Sequence, residues 1–283
     1  MSIDPLPQAP LRAVTDAEVE QFWQDGVVVL RAILPMEWIE VLGPAVERTI
    51  SRGETVDMGP LADGQVPGAP AFVAGVDHWR HDDTFRAFAL DSPLGGIAAE
   101  LLGSRRVRLW EDSVLVKEPG SPFETRFHTD ASYFHVVGEQ VCTVWVPLDA
   151  ATPASGMVRW LRGSHLDTAE YRPNLFVTDT PIPGTTGSVV PDVMANPELV
   201  ERLVSFDVVP GDLTVHHART LHGAPANATM TRRRAVSVRY CGDDVRYRHK
   251  AGLPRRPELD EVADGDPLGD RWCPIAGTRD LRL

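Results

Sequence analysis

Apolar residues in the first hundred positions fall at two different spacings. Val19, Phe22 and Trp23 recur at helical intervals behind Thr15-Asp16-Ala17-Glu18, a capping-box signature, and Gly26 supplies the stop. Residues 27–30 are an unbroken Val-Val-Val-Leu run, short enough to be a buried strand. Ile39, Leu42, Val46 and Ile50 then mark one face of a second helix over residues 36–50. Residues 53–75 are rich in Gly, Pro and Ala, show no period and predict a loop. Ser92-Pro93 opens a further helix that Gly103 ends.

Past residue 105 the texture changes to short runs rich in β-branched and aromatic residues, at 107–117, 142–147, 157–161, 204–209, 213–217 and 234–240. Pro210-Gly211-Asp212 reads as the turn between two of them. Short strands behind a helical layer predict a mainly β fold with flanking helices, a double-stranded β-helix or jelly roll. The helical layer is expected over about 15–103, the strand core over about 105–241 and a C-terminal extension over 243–283. A single domain, 1–283, is expected, since 43% hydrophobic residues can form one substantial core. Residues 167–197 hold five prolines and little pattern, as a long excursion across the mouth of a site would.

The formal charge of −12 disfavours nucleic acid and anionic membranes as partners and leaves a small-molecule substrate. Nothing approaches the ~18 apolar residues of a membrane span, and residues 1–14 lack a long apolar signal region. Cys142, Cys241 and Cys273 are far apart and form no CxxC pair, so neither a disulfide framework nor a zinc knuckle is indicated. A cytoplasmic protein is expected, with its oligomeric state open.

The chemistry lies in His128-Thr129-Asp130, answered ninety-four residues later by His222. In an extended strand, side chains two apart share a side, so His128 and Asp130 can converge while Thr129 points away. Two imidazoles and a carboxylate on one face of a metal leave the other face open, as a non-haem Fe(II) centre binding both a ligand and O2 requires. His222 follows the apolar segment 213–215 and precedes Gly223, where a strand is expected to give way to a turn.

Arg233 begins a strand with two faces. Arg234, Val236 and Val238 share one; Arg233, Ala235 and Ser237 share the other, whose small residues leave room for a ligand. A guanidinium at the end of such a row can clamp a carboxylate, whereas Arg232 and Arg234 read as solvated. Of His216 and His217 at most one can face the interior, and His217 reads as a core histidine. His165 reads as a turn residue, and His78, His81 and His249 as solvated. Trp110, Phe127, Tyr133 and Phe134, with His135, are the candidates for an apolar substrate pocket near the metal.

Taken in order, LWEDSVLVKEPG (109–120), FHTD (127–130), VWVPLDAATPASGMVRWLRGSH (144–165), PGDLTVHHARTLHGAPAN (210–227) and RRRAVSVRY (232–240) give the chain a clear likeness. Over roughly residues 15–240 it resembles the phytanoyl-CoA dioxygenase family of Fe(II)/2-oxoglutarate oxygenases. The resemblance implies iron ligands at His128, Asp130 and His222, and a 2-oxoglutarate-binding arginine eleven positions on, at Arg233. It also implies cosubstrate contacts at Trp145, Lys117 and Ser237. Glu111 departs from the glutamine that many relatives carry after Leu-Trp. The implied reaction consumes 2-oxoglutarate and O2, releases succinate and CO2, and by default hydroxylates a substrate C–H bond. Asp130 fills the position that related halogenases leave free for chloride, which disfavours halogenation. The alternative is a metal-binding jelly roll without oxygenase activity, a sensor or cupin-like isomerase, and it leaves Arg233 and Lys117 without an anionic partner.

Overall fold

The computed structural model describes residues 6–63 and 66–279. In chain order the helices are α1 (Asp16–Asp25), α2 (Met36–Ser51), α3 (Asp83–Asp91), α4 (Leu94–Leu102) and the short α5 (Pro197–Glu201). The first strands are β1 (Val27–Leu30), β2 (Val56–Asp57), β3 (Phe72–Val76), β4 (Arg106–Lys117), β5 (Thr125–His128), β6 (Val136–Val137) and β7 (Val141–Pro147). They are followed by β8 (Arg159–Leu161), β9 (Leu203–Val204), β10 (Leu213–His217), β11 (His222–Ala224), β12 (Arg233–Cys241), β13 (Arg246–Tyr247) and β14 (Ile275–Thr278).

The larger sheet runs β1-β10-β7-β12-β4-β3-β2, with β14 also on β4; the smaller runs β5-β11-β8-β9. Strands pair antiparallel throughout both. The fold is mainly β with flanking helices, a jelly roll whose larger sheet carries the helical layer on its outer face. Val28, Val114, Val144, Val215, Val236 and Val238 of the sheet share one core with Phe22, Trp38, Leu42, Val46, Phe88 and Leu101 of the helices. Alternation along each strand turns the intervening residues toward the smaller sheet, and that interior holds the site.

Local signals hold where they were strongest. Thr15 and Glu18 form the capping box, and Gly26 ends α1 at φ 78, a left-handed value that costs glycine little. Three expectations need correction, and one helix has no counterpart among them. Helix α3 was not foreseen: Phe85, Phe88 and Ala89 make barely one turn of pattern, behind the side-chain cap of Asp82. The expected loop 53–75 ends in β3, whose residues Phe72–Val76 look loop-like until the open edge of β4 pairs with them. The run expected over 204–209 is only Leu203–Val204, with Val208 bridging separately to Ala151. The C-terminal extension returns to the body, since β14 pairs with β4 and Ala276 enters the main core.

Candidate metal and cosubstrate site

His128 is the last residue of β5, Thr129 is extended at φ −113, and Asp130 opens a 3-10 turn. The strand therefore stops one residue earlier than the same-side argument assumed, but one extended residue suffices to keep both side chains together. His222 is the first residue of β11, where a turn gives way to a strand, the reverse of the expected order. It pairs directly opposite His128. That register, and not sequence proximity, brings the two rings to 4.3 Å between centroids.

Each imidazole is fixed from behind. His128 Nδ1 lies 2.7 Å from Arg126 O, and His222 Nδ1 lies 2.9 Å from Thr220 O. Donation from Nδ1–H to a carbonyl leaves Nε2 as a bare lone pair. Both Nε2 atoms face Asp130 Oδ1, at 3.7 Å each. Two donors about 2.1 Å from one ion can lie at most ~4.2 Å apart. The three buried donor atoms, all within 4.8 Å of one another, therefore suit one cation with little movement.

The other oxygen of Asp130 is held by the larger sheet. Thr143 Oγ1 donates to Oδ2, His216 Nε2 lies 3.2 Å from it, and Arg239 Nε lies 4.0 Å away. These three occupy one row across the sheet, since His216 pairs with Thr143 and Thr143 with Arg239. Burial opposes a charge on Asp130, yet His222, His128, His216 and Arg239 hold its pKa well below the usual carboxylate range. Burial, then the nearby His128 and His216, lower the pKa of His222 well below that of a free imidazole. An ionised carboxylate beside a neutral imidazole is the protonation state a divalent ion needs.

Trp145, Arg233 and Ser237 line the same small cavity, together with Phe72, Phe176 and Arg239. Arg233 is fully buried, and its Nε has no partner among the described residues. Its neighbours take the nearby acids: Arg232 pairs with Glu118 and Glu47, Arg234 with Asp149 and Glu47. Burial pushes the Arg233 guanidinium down to about 10, partly offset by Asp149, so it remains a cation at neutral pH. Lys117 sits opposite Arg233 in the β4–β12 register. Its Nζ donates to Pro225 O at 2.6 Å and Ala224 O at 3.3 Å, tying down the chain just past His222.

The five residues expected to wall a substrate pocket do not line this cavity. Trp110 and Phe134 belong to a separate core with Tyr247, Leu259 and Leu268, where Arg256 lies over the Trp110 ring. His135 stacks on His249 and contacts Pro254 O. Tyr133 packs edge-on to His128 and donates to Asn174, while Phe127 directs its carbonyl to the Asn174 amide. For Trp110, Phe134 and His135 the cause lies in residues 243–279, which cover them in a way that periodicity cannot foretell. Phe72 and Phe176 close the cavity instead, stacked at 6.0 Å, with Phe176 held at φ 70. Glu111 pairs with Arg256 and lies 3.9 Å from Arg239, a charge arrangement a glutamine would not make.

Two residues escaped sequence reasoning. His216 reaches Asp130, while His217, as expected of a core residue, turns to the helical side against Trp23 and His165. Parity allows only one of the two to face inward; that His216 shares its side with Trp145 follows from the β10–β7 register, which the sequence does not contain. Arg239 is the other, three rows along the face already assigned to Arg233.

Known structures share this architecture. The non-heme alpha ketoglutarate dependent carbocyclase SnoK from nogalamycin biosynthesis superposes with a TM-score of 0.73 at 23% identity, over 93% of this chain and 96% of that one. The epimerase SnoN, in complex with Fe3+, alpha ketoglutarate and nogalamycin RO, gives a TM-score of 0.73 at 25% identity, over 92% and 98%. EctD from S. alaskensis, with 2-oxoglutarate and 5-hydroxyectoine, gives 0.66 at 20% identity, over 91% and 86%. A comparison with curated proteins finds no match. The family model for phytanoyl-CoA dioxygenase matches residues 22–235, which take in His128, Asp130, His222 and Arg233, and the chain belongs to that family.

Proposed function

We propose that the chain is an Fe(II)- and 2-oxoglutarate-dependent dioxygenase that hydroxylates an unactivated C–H bond of a small organic or acyl substrate. The overall balance is substrate, O2 and 2-oxoglutarate to hydroxylated product, succinate and CO2, with one oxygen atom entering each organic product. The observation that carries this reading is Arg233, a buried cation without an ion-pair partner among the described residues, opening on the cavity that holds His128, Asp130 and His222. A metal site without a diacid cosubstrate gives that guanidinium no role.

His128, Asp130 and His222 would hold the iron, and Arg233 the distal carboxylate of 2-oxoglutarate. When bound, the ferrous ion supplies O2 activation coupled to oxidative decarboxylation of the cosubstrate. The protein positions and shields. Ser237 and the Trp145 indole line the cosubstrate's path, and Lys117 holds the backbone past His222. Phe72 and Phe176 keep water from the cavity and must part for a diacid to enter. One domain is the simplest reading of the whole, because Ala276 of the tail and Val114 of the sheet share a core.

Hydroxylation is taken as the default outcome; ring closure and epimerisation, the reactions named for SnoK and SnoN, would call on the same residues. The test is succinate formation from 2-oxoglutarate with Fe(II) and a metabolite library, followed by mass spectrometry of the consumed compound. A gain of one oxygen atom is expected; loss of two hydrogens, or a mass-neutral change, would replace hydroxylation with another outcome. Succinate formation should fall by ~10²-fold or more in Asp130→Ala, and full turnover in that variant would remove Asp130 from the ligand set.

A further inference from the structure

A second group of metal-type donors lies outside the cavity, on the helical side. Glu54, in the turn after α2, and His78 and His81, flanking the 3-10 turn after β3, bring three donor atoms within 4.8 Å of one another. His81 Nε2 stands 3.9 Å from Glu54 Oε2, close to the 3.7 Å separations within the His128–Asp130–His222 group. The sequence reading placed His78 and His81 in solvent. His78 is instead completely buried; the backbone of Gly75 approaches its ring, and neither ring nitrogen makes a well-formed hydrogen bond among the described residues. Glu54 Oε2 is likewise a buried atom with no hydrogen-bond partner among the described residues.

A buried imidazole without a well-formed hydrogen bond is costly unless another group satisfies it, and Glu54, whose other oxygen lies 3.9 Å from Arg52, brings a carboxylate beside it. The surroundings keep the imidazole in place. A Cβ on Gly75 would stand 2.6 Å from His78 Nε2 and 3.0 Å from Glu54 O, so only glycine allows β3 to pass this close. Phe85 packs on the ring at 5.3 Å. Burial, then the neighbouring His81, lower the His78 pKa, which favours the neutral form that ligates metals.

We propose that Glu54, His78 and His81 bind a divalent transition ion of the zinc class, with solvent in the remaining position. Two imidazoles and a carboxylate suit such an ion, whereas Mg2+ or Ca2+ would demand more oxygen donors than the cluster offers. The site is separate from the cavity, and its role is that of a clip. It joins the end of α2 to the turn after β3, fastening the strand whose first residue, Phe72, closes the cavity and pairs with Lys117.

The experiment is zinc binding to the metal-free full chain by equilibrium dialysis, with Co2+ absorption as a report of the ligand set. His81→Ala and Glu54→Gln alter partly exposed side chains and leave the buried ring in place. Each should lose one equivalent of zinc relative to wild type, lose the metal-dependent rise in Tm, and keep wild-type succinate formation with Fe(II). Asp130→Ala should retain that equivalent, and the Asp130→Ala, His81→Ala double variant should lack it. His249→Ala, at an exposed histidine, should bind as wild type does. Unchanged zinc stoichiometry in both His81→Ala and Glu54→Gln, or equal loss in His249→Ala, would overturn the proposal. Because Asp130→Ala reports on the cavity alone, failure here is distinguishable from failure of the oxygenase reading.

Discussion

The two faces of the larger sheet are made by the same strands and differ in almost every side chain. On the helical face β4, β7, β10 and β12 present Val114, Val116, Val144, Val146, Leu213, Val215, Val236 and Val238. On the other they present Lys117, Thr143, Trp145, His216, Arg233, Ser237 and Arg239, all buried or nearly so. The aliphatic face supplies cohesion, because apolar burial is worth about 25 cal/mol per Å2 and needs no particular partner. The polar face pays desolvation for each group, and its members persist only where a partner, from the protein or from a ligand, satisfies them. One rigid ladder thus fixes the polar residues to the accuracy of strand register while its reverse side supplies the stability.

Arg233 and Arg234, adjacent on opposite faces, give the sharpest way to break this division. Arg233→Ala should raise the KM for 2-oxoglutarate by ~10²–10³-fold, since truncating a buried charge partner costs roughly 2–5 kcal/mol. Iron affinity, read by Fe(II) titration without cosubstrate, should stay near wild type. Arg234→Ala removes an ion pair that is one-quarter exposed, and should change KM less than about twofold. Equal KM effects from the two substitutions would mean that the faces do not divide the work as described.

Asp112 is a buried carboxylic acid on the aliphatic side. It sits between Val114 and the Asp77 loop, with Oδ2 accepting from Trp79 N–H at 3.1 Å and Oδ1 unpartnered among the described residues. Burial raises its pKa to about 7, against the Trp79 hydrogen bond, with Asp77 and Glu111 adding to the rise. The folded state therefore holds this proton more tightly than the unfolded chain does. The resulting stability is complete below the ordinary carboxyl pKa of 3.8 and is lost as pH rises toward 7. Asp112→Asn keeps an acceptor for Trp79 and should remove that slope, leaving the variant on the order of 2–4 kcal/mol more stable than wild type at pH 8. Chemical denaturation at pH 5 and pH 8 measures it; the same slope in both proteins would place the titrating group elsewhere.

How much of this was legible follows from the range of each signal. Parity within a strand is local, so the split of Arg233, Ala235 and Ser237 from Arg234, Val236 and Val238 could be read directly, and the structure reproduces it. Caps and helix stops are equally local, as Thr15 and Gly26 show. The opposition of His222 to His128 is a register between strands ninety-four residues apart, and no spacing rule contains it. Trp110, Phe134 and His135 were misplaced for the same reason, because their burial depends on residues 243–279 folding back. Strand β3 became visible only once β4 offered it an edge.

His216 offers the finest test of the polar face, since it touches a proposed ligand and not the cavity's centre. Its Nε2 meets Asp130 Oδ2, the oxygen turned away from His128 and His222, and Thr143 donates to the same atom. Two contacts on Oδ2 hold the carboxylate so that Oδ1 faces the two bare imidazole nitrogens. A residue that orients a metal-binding carboxylate is worth ~10–100-fold in metal affinity, and with Thr143 still in place the lower figure applies to His216→Phe. His216→Gln, whose amide can donate to Oδ2, should recover most of that loss, while the free energy of unfolding stays within about 1 kcal/mol of wild type in both. If Phe and Gln weakened Fe(II) binding equally, His216 would be packing against Trp160 and the orientation of Asp130 would rest on Thr143 alone.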